Sequence, residues 1–148
     1  MEENFGSLLA DVSRHVRRSF DARARDIGVT RPQWQVLTVL LRHEGINQGG
    51  LADLLEVEPI TVCRMVDRLQ ESDLIERRPD PNDRRAWCLF LTDNARNVID
   101  QLRPLAEDLL QEALAGVSDD ERSQVMAVLD RIRQNLTRRP AAPMVYNG

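Results

Sequence analysis

A mainly α fold with a small β wing, a winged helix-turn-helix set between long flanking helices, is predicted for this chain by three observations. Apolar residues recur at helical spacing over most of the 148 positions. That period breaks once, between Leu74 and Leu91, where two short apolar runs flank a segment rich in proline, asparagine and aspartate. Just before the break, residues 51–73 hold two short helical segments with the spacing of a packed pair. The length, with 42% hydrophobic content, fits a single domain over residues 1–148 with a real core.

The first helix is expected over residues 4–27, where Phe5, Leu9, Val12, Val16 and Phe20 form one stripe and Gly28 closes it. Thr30 with Gln33 has the form of a capping box, and Trp34, Leu37, Val39, Leu40 and Leu41 carry a second helix to about His43. Asn47 can cap a short third helix bearing Leu51, Leu54 and Leu55, although Gly49 and Gly50 weaken its first turn. Pro59 suits the opening turn of a fourth helix reaching Asp73, roughly 15 residues and about 22 Å long. Strands over residues 74–78 and 86–91 follow, joined by a turn-rich loop. Thr92 caps a fifth helix bearing Ile99, Leu102, Ala106, Leu109 and Ala113, which ends ahead of Gly116. Ser118 with Glu121 opens a sixth bearing Val125, Val128, Leu129, Ile132 and Leu136. From Arg139 onward Pro140 and Pro143 suggest a ragged end or an extension against a partner.

Several function classes are excluded at this level. The opening residues are interrupted by charge, with neither a signal-peptide core nor a membrane-spanning run, so a cytoplasmic protein without a membrane partner is expected. Cys63, Cys88, His15 and His43 show no metal-ligand spacing, and neither a metal, a cofactor nor a disulfide is predicted. No Ser/His/Asp, Cys/His or phosphate-loop arrangement is present, which argues against an enzyme. The net charge of -4 rules out a generally basic coat, but all 20 basic residues are arginine. Arginine's planar fork suits phosphates and guanine edges, although a coding bias explains the absence of lysine equally well.

If residues 51–73 form one packed pair, Leu51, Leu54 and Leu55 meet Val62, Val66 and Leu69, while Thr61, Arg64 and Arg68 face away. Such a face suits a groove of double-stranded DNA, with Arg64 and Arg68 on base edges or nearby phosphates and Thr61 on a phosphate or a thymine methyl. An ordinary solvated helix carries the same residue types. At the hairpin tip, Arg84 and Arg85 can reach a minor groove, where positive side chains are favoured. Asp83 is expected to hold a nearby arginine by a charge-assisted hydrogen bond, or simply to form the turn. Arg77 and Arg78 form a strand-end pair near the DNA backbone, or ordinary surface charge. A lobe over residues 30–92 cannot cover the long stripes of residues 4–27 and 93–138, so a homodimer is expected. Twofold symmetry sets the reading helices about 34–36 Å apart and predicts an inverted-repeat operator. The rival is a helical interaction protein that keeps a winged fold without binding DNA, for which Arg64, Arg68 and Arg85 are dispensable.

The segment LADLLEVEPITVCRMVDRLQESDLIERRPDPNDRRAWCLFLT, with its VDRL and DLIERR pieces and the Asp-x-Arg of Asp83 and Arg85, resembles the MarR family of bacterial transcriptional regulators, with features of the SlyA-like branch. The resemblance extends over about residues 5–137 and implies interwoven terminal helices in a dimer on pseudopalindromic promoters. It also implies a fourth helix in the major groove, with Arg85 at the wing tip and Asp83 orienting it. Many such proteins are repressors released by a small phenolic or carboxylate ligand bound between the dimer helices and the DNA-binding lobe. For that ligand Trp34 offers a flat wall and Arg14, His15 and Arg18 offer donors; the bland alternatives are a core Trp34 and an interface His15. The oxidation-sensing branch carries its cysteine near the chain start, where this sequence has none. Cys63, on the flank of the reading helix, is expected to be buried, with oxidation-linked loss of binding as the alternative. Asn94 and Ala95 stand where a glycine commonly follows the family's Leu-Thr pair.

Overall fold

The computed structural model describes residues 3–138, so the proline-bearing tail lies outside the described residues. In chain order the elements are α1 (Phe5–Asp26), α2 (Arg31–Arg42), α3 (Gln48–Leu55), α4 (Pro59–Glu71), β1 (Ile75–Pro79), β2 (Trp87–Leu91), α5 (Asp93–Ala113) and α6 (Asp119–Thr137). Contacts divide the chain into two units, one ending at Leu110 and the other beginning at Gln111. This is the mainly helical, two-stranded-wing topology that the spacing predicts.

Helix starts follow their side-chain caps. Asn4 and Ser7 close a reciprocal box on α1, and Thr30 with Gln33 does the same on α2. Asn47 accepts the Gly50 N–H at 2.7 Å to start α3. A Cβ at Gly50 would fall 2.8 Å from the Ile46 side chain, so a larger residue there would force Ile46 to shift. Ser118 caps α6 by accepting the Glu121 N–H at 3.2 Å. The expected reciprocal bond takes another form, since the Ser118 hydroxyl donates to the Glu121 carboxylate. Helix α4 stops at Glu71, two residues short of expectation, because Asp73 adopts a left-handed φ of 56° and the Leu74 N–H turns back to the Leu69 carbonyl.

The wing is one antiparallel pair, in register from Ile75 opposite Leu91 to Pro79 opposite Trp87. Its base is fastened to the α2–α3 connection: the Gly45 N–H donates to the Leu89 carbonyl at 2.8 Å, and the Leu89 N–H to the Ile46 carbonyl at 2.9 Å. At the other edge Thr92 bridges two elements. Its hydroxyl donates to the Asp73 carbonyl at 2.6 Å and accepts the Ala95 N–H at 3.0 Å, starting α5 just beyond α4's end.

Beneath these bonds lies a core of Val36, Leu37 and Leu40 from α2, Leu51 and Ala52 from α3, and Val62, Val66 and Leu69 from α4. Ile75, Leu89 and Leu91 of the wing and Ala95, Ile99 and Leu102 of α5 join it, with Ala24, Val29 and Leu74. One expected core member is misplaced: Leu54 is 51% exposed, and Ala52 is buried instead. The inward arc of α3 holds Leu51, Ala52 and Leu55, and a turn of 3.6 residues swings Leu54 outside it.

The terminal helices differ from this lobe. Of α1 only Ala24 is buried, and Phe5, Leu8, Leu9 and Val12 are exposed. No residue of α6 is buried, and Val125, Met126, Val128 and Leu129 are exposed. Among the described residues no helix is long and apolar enough to cross a membrane. Leu37→Ala, emptying a fully buried site, is expected to cost about 2–5 kcal/mol in chemical denaturation. Leu54→Ala is expected to change stability by less than about 0.5 kcal/mol.

Candidate nucleic-acid interface

Helix α4 begins at Glu58, whose side chain makes no cap bond, followed by Pro59 in the first turn, where a missing N–H costs nothing. Burying Val62, Val66 and Leu69 turns Thr61, Arg64 and Arg68 outward, and all three are exposed. Among the described residues their side chains have no hydrogen-bond or ion-pair partner. Arg68 borders a groove whose far wall is Thr30, Pro32 and Gln33 at the start of α2. Ile60, which lies off the apolar period of α4, is 64% exposed on the first turn of the same helix.

The wing tip is shaped by main-chain bonds to two aspartates. The Asn82 N–H donates to Asp80 Oδ1 and the Arg85 N–H to Asp83 Oδ1, each at 2.9 Å. Ala86 closes the loop through its N–H to the Asp83 carbonyl and its carbonyl to the Asp80 N–H, both at 3.1 Å. Asp83 therefore holds Arg85 by its backbone; among the described residues no bond to an arginine side chain forms. Arg84 and Arg85 are exposed with their guanidinium groups unpaired among the described residues.

Arg77 stands apart from the other candidate arginines. Its side chain is 17% exposed, and every guanidinium nitrogen is engaged. Nε donates to Gln48 Oε1 on α3 at 2.9 Å and Nη1 to Gln70 Oε1 on α4 at 2.9 Å. Nη2 reaches Asp67 Oδ1 at 2.7 Å and the Cys63 carbonyl at 3.4 Å, both on α4. One side chain thus ties β1 to both helices of the helix-turn-helix. Arg78, on the opposite face of β1, pairs with Glu76 at 3.2 Å and lies 4.0 Å over the Phe90 ring. That bond holds the Glu76 carboxyl below the usual carboxylate range. Gln48, Asp67 and Gln70 carried no signal in the sequence, because their common partner is remote along the chain.

Among the described residues, the four residues named for a ligand pocket have separate surroundings. The Trp34 indole N–H donates to Asp21 Oδ1 at 2.7 Å, and its ring meets Phe20 edge-on at 4.9 Å. Arg14 pairs with Asp11 at 2.8 Å, while His15 and Arg18 are exposed on α1. A cavity of about 190 Å³ lies elsewhere, lined by Phe20, Thr38, Leu41, Leu102, Arg103 and Ala106 among others. Trp34 is excluded from it because Asp21, which also accepts from Arg31 Nε at 2.6 Å, anchors the indole. The Arg31 hydrogen bond, aided by Trp34 and opposed by burial, holds the Asp21 carboxyl below its usual range. Cys63 is exposed and not buried as expected, because it sits on the flank of α4 between the core and the outward face. Cys88 is half-buried, and burial, then Asp80, pushes its thiol up, away from the reactive thiolate.

Comparisons with known proteins converge. Residues 27–86 match the family described as the MarR family. The uncharacterized HTH-type transcriptional regulator YybA of Bacillus subtilis (strain 168) is 30% identical over 114 residues, spanning 77% of this chain and 76% of its own. The solved transcriptional regulator PA3341 is 34% identical, with a TM-score of 0.79 over 92% of this chain and 100% of its own. A mutant MarR from E. coli, solved in complex with operator DNA, is 27% identical, with a TM-score of 0.72 over 86% of this chain and 91% of its own.

Two stability measurements check the geometry. Arg77→Ala, which removes a largely buried side chain and its bonds to Gln48, Gln70 and Asp67, is expected to cost about 1–3 kcal/mol, and Arg64→Ala or Arg85→Ala less than about 0.5. Asp21→Asn is expected to be less stable than the native chain at neutral pH. A depressed carboxyl stabilises above its unfolded pKa of about 4 and loses that contribution as pH falls through the folded value. The gap between the two chains therefore narrows in acid, as denaturation at neutral and acidic pH can show.

Proposed function

The chain belongs to the MarR family, and from that premise we propose that it is a transcriptional regulator that reads duplex DNA as a homodimer, with α4 in the major groove and the wing tip in the adjacent minor groove. The observation that carries this reading is the set of unpaired, exposed arginines on two neighbouring elements, Arg64 and Arg68 on α4 and Arg84 and Arg85 on the wing. An arginine fork left without a protein acceptor is available to guanine edges and phosphate oxygens. The operator complex of the related MarR mutant supports the same reading.

Arg77 is assigned a positioning role in place of direct contact, because its donors are already satisfied within the lobe. Thr61 joins Arg64 and Arg68 at the groove, and Asp83 sets the backbone from which Arg85 projects. The bare apolar stripe of α1, and separately that of α6, are each covered by a second copy, since patches of this kind mark interfaces. Twofold symmetry then gives an inverted-repeat operator with half-sites about one helical turn apart.

Within the family we place the chain with the SlyA-like branch on its helix-and-wing segment, and assign it repression relieved by a small aromatic or anionic ligand. The ligand's place is the cavity beside Phe20 and Leu102, whose walls are mainly apolar and whose lining includes Arg103, a counter-charge for a carboxylate.

Recovery of genome-wide bound DNA should yield one shared inverted repeat. On that operator Arg64→Ala or Arg68→Ala is expected to lose about 1–3 kcal/mol per half-site. Arg85→Ala should weaken binding across sequences and reduce the salt slope by about one per subunit. Unchanged affinity in all three variants overturns the assigned reading surface, and failure to recover any bound DNA returns the chain to a winged interaction protein that does not bind DNA. A monomeric mass at low micromolar concentration removes the twofold arrangement.

A further inference from the structure

We infer that Ile60 is a specificity-determining residue whose side chain packs on the 5-methyl group of one thymine in each half-site; the inference rests on the DNA-reading function proposed above. Three observations carry it. Val62, Val66 and Leu69 supply α4's share of the core, so Ile60 has no packing task inside the lobe, and it is 64% exposed. It precedes Arg64 by four residues and so shares a ridge with it, an apolar group one turn ahead of an unpaired guanidinium. It also lies on the first turn of the helix, the end whose residues meet base edges in helix-turn-helix proteins.

A lone exposed isoleucine is ordinary on a protein surface. Its place on an outward face otherwise formed by Thr61, Arg64, Asp67, Arg68 and Glu71 is what gives it meaning. Thymine is the one base whose major-groove edge carries a methyl group, so it is the edge that rewards an apolar side chain. A β-branched side chain in a helix holds essentially one χ1 rotamer, so little freedom is lost on contact. With the methyl taken by Ile60, the Thr61 hydroxyl is left for a phosphate oxygen.

Duplexes enriched by the native chain from a randomised pool provide the probe. Each thymine of the enriched half-site is replaced in turn by deoxyuridine, which removes the methyl group and keeps the base pair. One position is expected to weaken binding by the native chain about fourfold per half-site, the worth of one buried methyl. Ile60→Ala should bind the thymine duplex at that weakened level and be indifferent to the replacement, while Ile60→Val should keep most of the sensitivity. Equal affinity for thymine and deoxyuridine at every position, or a penalty that survives in Ile60→Ala, overturns the assignment and leaves the DNA-reading function standing. Failure of the native chain to enrich any sequence overturns both.

Discussion

Burial of Val62, Val66 and Leu69 in one core with Leu37, Leu40, Leu51 and Leu89 sets the roll of α4 about its own axis. A change of one residue in that register rotates every side chain by about 100°, which would expose three apolar residues and drive Arg64 or Arg68 inward. Each misplaced aliphatic side chain forfeits roughly 1.5–3 kcal/mol of burial, and an unpaired buried guanidinium costs more. The outward face is consequently fixed by residues that never touch a ligand. Everything assigned to Thr61, Arg64 and Arg68 inherits its geometry from that packing.

Roll alone does not place the wing. Its base is set by main-chain bonds between Leu89 and the α2–α3 connection, and its orientation toward α4 by Arg77. A guanidinium suits this task because its donors diverge in one plane, so a single side chain can meet acceptors on α3 and α4 together. Satisfied acceptors on every nitrogen offset the cost of taking the charge most of the way out of water. Helix α4 and the wing are thereby tied together, whereas Arg84 and Arg85 at the far end remain solvated.

Much of this was legible in the sequence because the signals are local. Thr30 and Gln33, Asn47 ahead of Gly50, and Pro59 at a first turn each act within one turn of helix, and all are found where the spacing puts them. Periodicity gave the core face of α4 for the same reason. Remote partners were the obstacle. Arg77 read as a surface or backbone-contacting arginine because Gln48 lies 29 residues away. For Trp34 the spacing leaves both a core place and a pocket wall open, because the carboxylate that anchors its indole is 13 residues back on another helix. Leu54 and Ala52 exchange places because phase outweighs apolar content in an eight-residue helix, and Ile60 carries no periodic signal because it breaks the period.

At the wing tip, the loop's shape depends on carboxylates accepting main-chain N–H groups, and the arginine side chains take no part in it. Shape and chemistry are thus encoded by different residues of one short loop. Positions 84 and 85 can accept new side chains one at a time without loss of the turn, whereas Asp80 and Asp83 cannot be exchanged so freely. Descendants of this chain can on that account drift in side-chain chemistry at the tip while remaining folded at every step.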